Sequence, residues 1–179
     1  MPNNHRIPVV GFIGFSGVGK TTLLIELVPM FRSHGLRVGL IKHCHHDFEI
    51  DTPGKDSFQL REAGADPVLV SSCHRWALMK ETPNQNEPGL EDMLSRFGKD
   101  ESDIILVEGF KHEQFPKIEI HRPSMGKPLL YAEDSFVIAI AADDAIPERV
   151  SIPVLDLNQP NRIVAFIINA INKDIAEFR

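Results

Sequence analysis

An α/β fold, with a mostly parallel sheet flanked by helices and an antiparallel hairpin extension, is predicted by three observations. Short runs of branched apolar residues recur along the chain, and several are too uniformly apolar for a sheet with one wet face. Between them lie stretches with apolar residues three and four apart, the period of a helix. The first such strand and helix are joined by Gly14-Phe-Ser-Gly-Val-Gly-Lys-Thr21, which fits the phosphate-binding pattern G-x-x-x-x-G-K-[ST]. That pattern belongs between a strand and a helix, so the expected fold is P-loop NTPase-like.

Each element follows in order. Residues 7–15 read as a buried strand. Arg6 and the apolar run after it imitate a secretory leader, but cleavage near Ser16 and Gly17 would destroy the phosphate motif. Leu23, Leu24, Leu27, Val28 and Phe31 place a helix over 20–31 that stops near Gly35. Residues 37–41 form the second strand of a right-handed β-α-β unit. A polar, His-rich loop over 42–54 closes with Pro53-Gly54. Residues 57–63 suggest a short helix, with Asp56 as N-cap and Gly64 as its stop. The runs 67–71 and 76–80 are separated by Ser72-Cys-His-Arg75 and pair as a hairpin. After a loop over 82–89 and a helical turn or two over 90–97, residues 104–107 read as a strand covered on both faces and ending at Glu108. Residues 117–121 alternate charge with apolarity, so they are expected to be half exposed, on an extended arm over 111–131. A buried strand over 136–142, a short one at 154–155 and a helix over 163–175 complete the chain. The whole is expected to be a single nucleotide-binding domain over 1–179, with residues 67–81 as a hairpin insertion.

Composition narrows the function. The 179 residues are 42% hydrophobic and 25% charged, ordinary for a globular domain and unlike a disordered or fibrous chain. The longest apolar run, 136–142, has 7 residues, against about 20 for a membrane helix. With 25 acids, 19 Lys plus Arg and a net charge of −6, the chain has no global basic field for nucleic acid or anionic lipid. Residues 80–113 hold 9 acids and 4 bases, so most of the imbalance is local, a solvated rim sooner than a docking face. Two cysteines, Cys44 and Cys73, suit a reducing compartment such as the cytoplasm.

A polyphosphate is best held by backbone N–H groups converging where a loop turns into a helix. Gly14, Gly17 and Gly19 allow that approach, Lys20 adds a cation for the terminal phosphates, and the Thr21 hydroxyl can ligate Mg²⁺. At average residue frequencies the motif arises by chance about once in 200 chains of this length. The metal needs a carboxylate, and Glu108 stands at a strand end where a Walker-B acid would be. Asp51 competes, because Asp51-Thr-Pro-Gly54 matches the D-x-x-G switch of GTPases; an ordinary turn accounts for those residues nearly as well. The base-reading N-K-x-D signature is missing, and Asp143 or Asp144, just after a buried strand, is the candidate for reading guanine. His43, Cys44, His45, His46 and Asp47 are dense in metal-ligating types. Neighbours in an extended chain alternate faces, so these residues suit the lining of a nucleotide or partner cleft better than a dedicated metal site.

Several blocks together carry a more specific resemblance: Gly14-Phe-Ser-Gly-Val-Gly-Lys-Thr-Thr22, Leu40-Ile-Lys-His-Cys-His-His46, Asp51-Thr-Pro-Gly-Lys-Asp-Ser57, Arg75-Trp-Ala-Leu-Met79 and Leu106-Val-Glu-Gly-Phe-Lys111. In that order they closely resemble the molybdopterin-guanine dinucleotide biosynthesis protein B family. The resemblance implies a dimeric, cytoplasmic, GTP-binding adaptor with at most weak GTPase activity. Its implied partner is the guanylyltransferase, protein A of the same pathway, which attaches GMP to molybdopterin. By position it implies that Gly14, Ser16, Gly17, Val18, Gly19, Lys20, Thr21 and Thr22 bind phosphates, with Asp51 and Glu108 toward the metal or the terminal phosphate. Two other readings compete. A small-molecule or nucleotide kinase would need a basic lid, for which Lys111, Lys117, Arg122 and Lys127 are available. A metallochaperone GTPase would load metal through His43, His45 and His46.

Overall fold

The computed structural model describes residues 7–44, 48–82, 88–98 and 100–177. In chain order the elements are β1 (Val9–Ile13), α1 (Lys20–Ser33), β2 (Val38–Lys42), α2 (Asp56–Glu62), β3 (Val68–Ser71), β4 (Trp76–Met79), α3 (Leu90–Leu94), β5 (Ile104–Glu108), β6 (Lys117–His121), β7 (Val137–Ala142), β8 (Val154–Asp156) and α4 (Pro160–Glu177). They fall into two compact units, one built from residues up to 43 and from 93 onward, the other from residues 44–92.

The larger unit is a six-stranded sheet in the order β2-β5-β1-β6-β7-β8, parallel at every pairing. The predicted α/β class holds. β5 inserts between β1 and β2, so the first β-α-β unit spans a strand that arrives much later in the chain. Pleating sends every second side chain to one face. On that face Val10, Phe12, Ile104, Leu106, Ile118, Ile120, Ala139 and Ala141 meet Leu23, Leu24, Leu27 and Phe31 of α1 and Ile163, Val164 and Ile167 of α4. Each large apolar side chain buried there contributes roughly 1.5–3 kcal/mol.

The other face explains the one strand whose sequence misleads. Expected to be half exposed, Lys117–His121 is instead buried at every position, between β1 and β7. Its charged side chains are satisfied inside. The Lys117 ammonium donates to the carbonyls of Lys111 (3.1 Å) and Glu113 (2.6 Å) and pairs with Asp134 at 2.7 Å. Glu119 accepts N–H bonds from Leu130 and Tyr131, both at 2.9 Å. Burial pushes the Glu119 carboxyl above its ordinary range, against the pull of those two N–H groups and of His121. Segments on either side of the strand thus cap its polar face, which alternation alone cannot reveal.

In the smaller unit α2 precedes the antiparallel β3–β4 hairpin, with Val68 opposite Met79 and Ser71 opposite Trp76. α2 starts one residue earlier than expected, so Asp56 lies in its first turn while Lys55 flanks it; Gly64, at φ +101°, ends it. Arg61 ties this unit together through Glu49 (2.7 Å) and Glu81 (3.1 Å). The hairpin shows apolar side chains to solvent: Leu69 is 62% exposed, Trp76 68% and Leu78 52%.

Candidate functional site

All six strands are parallel, so their carboxyl ends lie along one edge, where open α/β sheets bind ligands. The phosphate loop leaves β1 on that edge. Gly14 is at φ +147°, and a Cβ there would come within 2.5 Å of the Ile120 carbonyl oxygen, so no side chain fits. Gly19, at φ +99°, turns the chain into α1 in a left-handed conformation open to glycine at little cost. No side chain caps this helix start and no acid occupies its first turn, which leaves its N–H groups and positive dipole end for an anion.

Lys20 curls back to donate to the carbonyls of Gly14 and Phe15, both at 3.0 Å. Burial pulls its pKa below the ordinary lysine value, while Glu108 raises it and Lys42 lowers it further. The Thr21 hydroxyl lies 2.8 and 3.0 Å from the two carboxylate oxygens of Glu108. These residues are 87 apart in the chain and were expected to share a metal; the structure brings them into contact. Lys42, at the end of β2, is 3.4 Å from both the Thr21 oxygen and Glu108. It is a further candidate that the expected site residues leave out, though it stands in the block Leu40–His46 at the end of a parallel strand.

On the other side of the loop is a residue that the sequence offers only as a lid cation of the kinase reading. Arg122 follows β6 directly, donates from Nε to the Val18 carbonyl at 2.8 Å, and pairs through Nη1 with Asp143 after β7. Asn158 after β8 donates to the Asp143 backbone carbonyl at 3.3 Å. Asp143 thus lies beside the loop, with its carboxylate engaged by a guanidinium.

Asp51 belongs to the smaller unit. Its Oδ1 accepts from the Thr52 N–H (2.9 Å) and the Ser57 hydroxyl (3.0 Å), and its Oδ2 is shielded without a protein partner. His43 stacks on Phe110 with ring centroids 4.4 Å apart, and its backbone N–H donates to the Glu108 backbone carbonyl at 2.8 Å. The expectations for His45, His46 and Asp47 lie outside the described residues. Among the described residues no group of three His, Cys, Asp or Glu could hold a metal ion, and no helix is long and apolar enough to cross a membrane.

A family model described as molybdopterin guanine dinucleotide synthesis protein B matches residues 9–143, which contain the phosphate loop, Glu108 and Asp143. The chain belongs to that family. It is 44% identical over 174 residues to the molybdopterin-guanine dinucleotide biosynthesis adapter protein of Escherichia coli, covering 97% of this chain and 98% of the relative. The adapter protein of Haemophilus influenzae is 42% identical, with 93% and 90% covered. Among solved structures, one of molybdopterin-guanine biosynthesis protein B aligns with a TM-score of 0.71 at 23% identity, covering 90% of this chain and 99% of that one. A Bacillus subtilis MobB structure aligns at 0.70 with 26% identity, covering 90% and 96%. The fold of the synthesis protein B family is therefore the fold seen here.

Proposed function

We propose that this chain is a GTP-binding adapter in molybdopterin-guanine dinucleotide biosynthesis, serving the guanylyltransferase, protein A of that pathway, as a cytoplasmic homodimer. Family membership and the relatives' names as adapter proteins support the pathway and the role. The observation that carries the nucleotide reading is the contact between Thr21 and Glu108 beside an uncapped, glycine-lined helix start. A hydroxyl and a carboxylate at that spacing are hard oxygen donors with the charge and geometry to share one Mg²⁺, the rest of whose octahedron phosphate and water would fill. These residues fit the ion. When bound it would neutralise phosphate charge; the chain's own part is to cradle the phosphates on the N–H groups of Gly17 to Thr22 and to place Lys20 at their far end. Asp51, expected toward the metal or the terminal phosphate, is in the smaller unit and keeps its Oδ2 without a protein partner; hydrolysis is at most slow.

The test is direct. Lys20→Ala should abolish GTP binding measured by calorimetry, with the thermal unfolding of the ligand-free protein little changed; unchanged GTP affinity would overturn the reading. In wild type, GTP at about a hundred times its Kd should add roughly 2.7 kcal/mol to stability. Two observations disfavour a kinase: of the four expected lid cations, Lys117 is 1% exposed and bound to Asp134, and Arg122 is held by Val18 and Asp143.

A further inference from the structure

We infer that Lys42 is an interlock on the metal position of the phosphate site: its ammonium and a divalent cation compete for the same Thr21 and Glu108 oxygens, so the ion enters as the lysine swings away. The inference rests on the nucleotide reading above, in which Thr21 and Glu108 hold that ion, and adds the residue that governs when they can.

Register fixes where the lysine starts. Lys42 and Glu108 are direct neighbours across β2 and β5. Strand residues alternate faces, so both side chains rise on the face that carries α1, as Val38, Ile104 and Leu106 do. The backbone beside them is pinned, because the His43 backbone N–H bonds the Glu108 carbonyl and the His43 ring stacks on Phe110. Approach or withdrawal of the ammonium is therefore a side-chain motion along a flexible four-carbon stem. The Glu108 side chain is 11% exposed and that of Lys42 48%, so the carboxylate stays in place while the lysine has room to turn out into water.

The chemistry of the contact makes it exclusive. The Lys42 ammonium donates to the Thr21 hydroxyl oxygen at 3.4 Å and faces Glu108 Oε2 at 3.4 Å, while the Thr21 hydroxyl gives its own proton to Glu108 at 2.8 Å. The ammonium thus draws on the lone pairs that a metal ion needs from both residues. Mg²⁺ binds oxygen at about 2.0–2.1 Å, so an ion on either oxygen would stand within about 5.5 Å of an ammonium left in place. At that range, beside a shielded carboxylate, repulsion between the two cations outweighs a long and half-exposed ion pair. Lys20 plays no part in this exchange, since its ammonium is held by the carbonyls of Gly14 and Phe15. A terminal phosphate gives the displaced Lys42 a new partner. Nucleotide and metal ion then favour one another's binding through Lys42, by the same factor in both directions.

The experiment uses Mn²⁺ as the probe, its affinity read from the free-ion electron paramagnetic resonance signal. The proteins are wild type, Lys42→Met, Glu108→Gln and the double variant, each first checked for unaltered ligand-free thermal unfolding. Methionine keeps most of the stem and removes the charge. Without nucleotide, Lys42→Met should bind Mn²⁺ about tenfold more tightly than wild type, the scale of one like charge removed from a partly exposed site. The double variant should lose that gain, because the gain belongs to Glu108. With GTP present, wild type and Lys42→Met should differ by less than about threefold, since the lysine has then left the pair. Mn²⁺ binding no tighter in Lys42→Met, a gain that survives in the double variant, or a tenfold difference that persists with GTP would overturn the inference. Glu108→Gln separates the two claims: it should weaken Mn²⁺ roughly tenfold or more in the presence of GTP, as one ligand charge is lost. If it changes nothing with or without GTP, the reading of Thr21 and Glu108 as the metal pair itself fails.

Discussion

β6 and the β3–β4 hairpin invert what their sequences lead one to expect. Lys-Ile-Glu-Ile-His is the most charged strand and lies fully buried in the sheet, whereas the hairpin, with Leu69, Val70, Trp76 and Leu78, is the most exposed. The difference teaches that burial of a strand follows from what covers it. Around β6 the flanking segments supply an ion pair, two carbonyls and two N–H groups, so the cost of removing charge from water is offset by specific partners. Among the described residues of the smaller unit nothing covers the outer face of the hairpin, and its Leu69, Trp76 and Leu78 are exposed.

The sharpest way to break this comparison is Lys117→Ala. It strands the Asp134 carboxylate and two carbonyls, and should cost about 3–5 kcal/mol in urea unfolding; a loss under about 1 kcal/mol would mean that water reaches β6. Next in size, Glu119→Ala leaves the N–H groups of Leu130 and Tyr131 unpaired and should cost about 1–3 kcal/mol. Its pH dependence has a definite sign. Because burial raises the carboxyl's pKa in the folded state, the group's contribution to stability is complete below the ordinary value of 4.5 and is lost as pH rises through the higher folded value. Glu119→Gln should flatten the stability curve in the window just above pH 4.5. On the hairpin, Leu78→Ser should change stability by no more than about 0.5 kcal/mol, and a larger loss would show that the face is covered in solution.

The smallest effect belongs to an exposed pair. Arg37 holds Asp103 through its backbone N–H at 2.7 Å and its guanidinium at 2.8 and 2.9 Å, lowering the Asp103 carboxyl to about 2. Its contribution is present above the unfolded value near 3.8 and fades as pH falls toward 2. Asp103→Asn should lower stability slightly at neutral pH, leave it unchanged near pH 2 and so remove that part of the acid transition.

Local chemistry was legible in the sequence where it depends on contiguous residues. The glycines and Lys20 announce the phosphate loop because backbone approach and dipole are properties of one turn. Apolar runs such as 104–107 and 136–142 announce interior strands for the same reason. Glu108 was also readable, as an acid ending such a run. Which partners Lys42 and Arg122 meet depends on strand order. Lys42 reaches Glu108 only because β5 lies beside β2, and Arg122 reaches Val18 only because β6 lies beside β1. Neither residue sits in a pattern with its partner. The buried Lys117 and Glu119 belong to the same class, since the groups that satisfy them come from turns rather than from the strand.

The strand order also bears on how the chain is made. β1 hydrogen-bonds only to β5 and β6, so the strand that launches the phosphate loop has no neighbour until residues 104–121 have been synthesised. At about 5–20 residues per second, that interval is roughly 5–20 s. Through it an apolar strand waits unpaired in the nascent polypeptide, and closing so long a loop is slow. A truncated product ending before β5 would carry the whole Gly14–Thr22 motif and still have no anchored cradle. The cradle built on Gly14–Thr22 thus waits for β5 and β6, although its glycines and Lys20 leave the ribosome well before those strands.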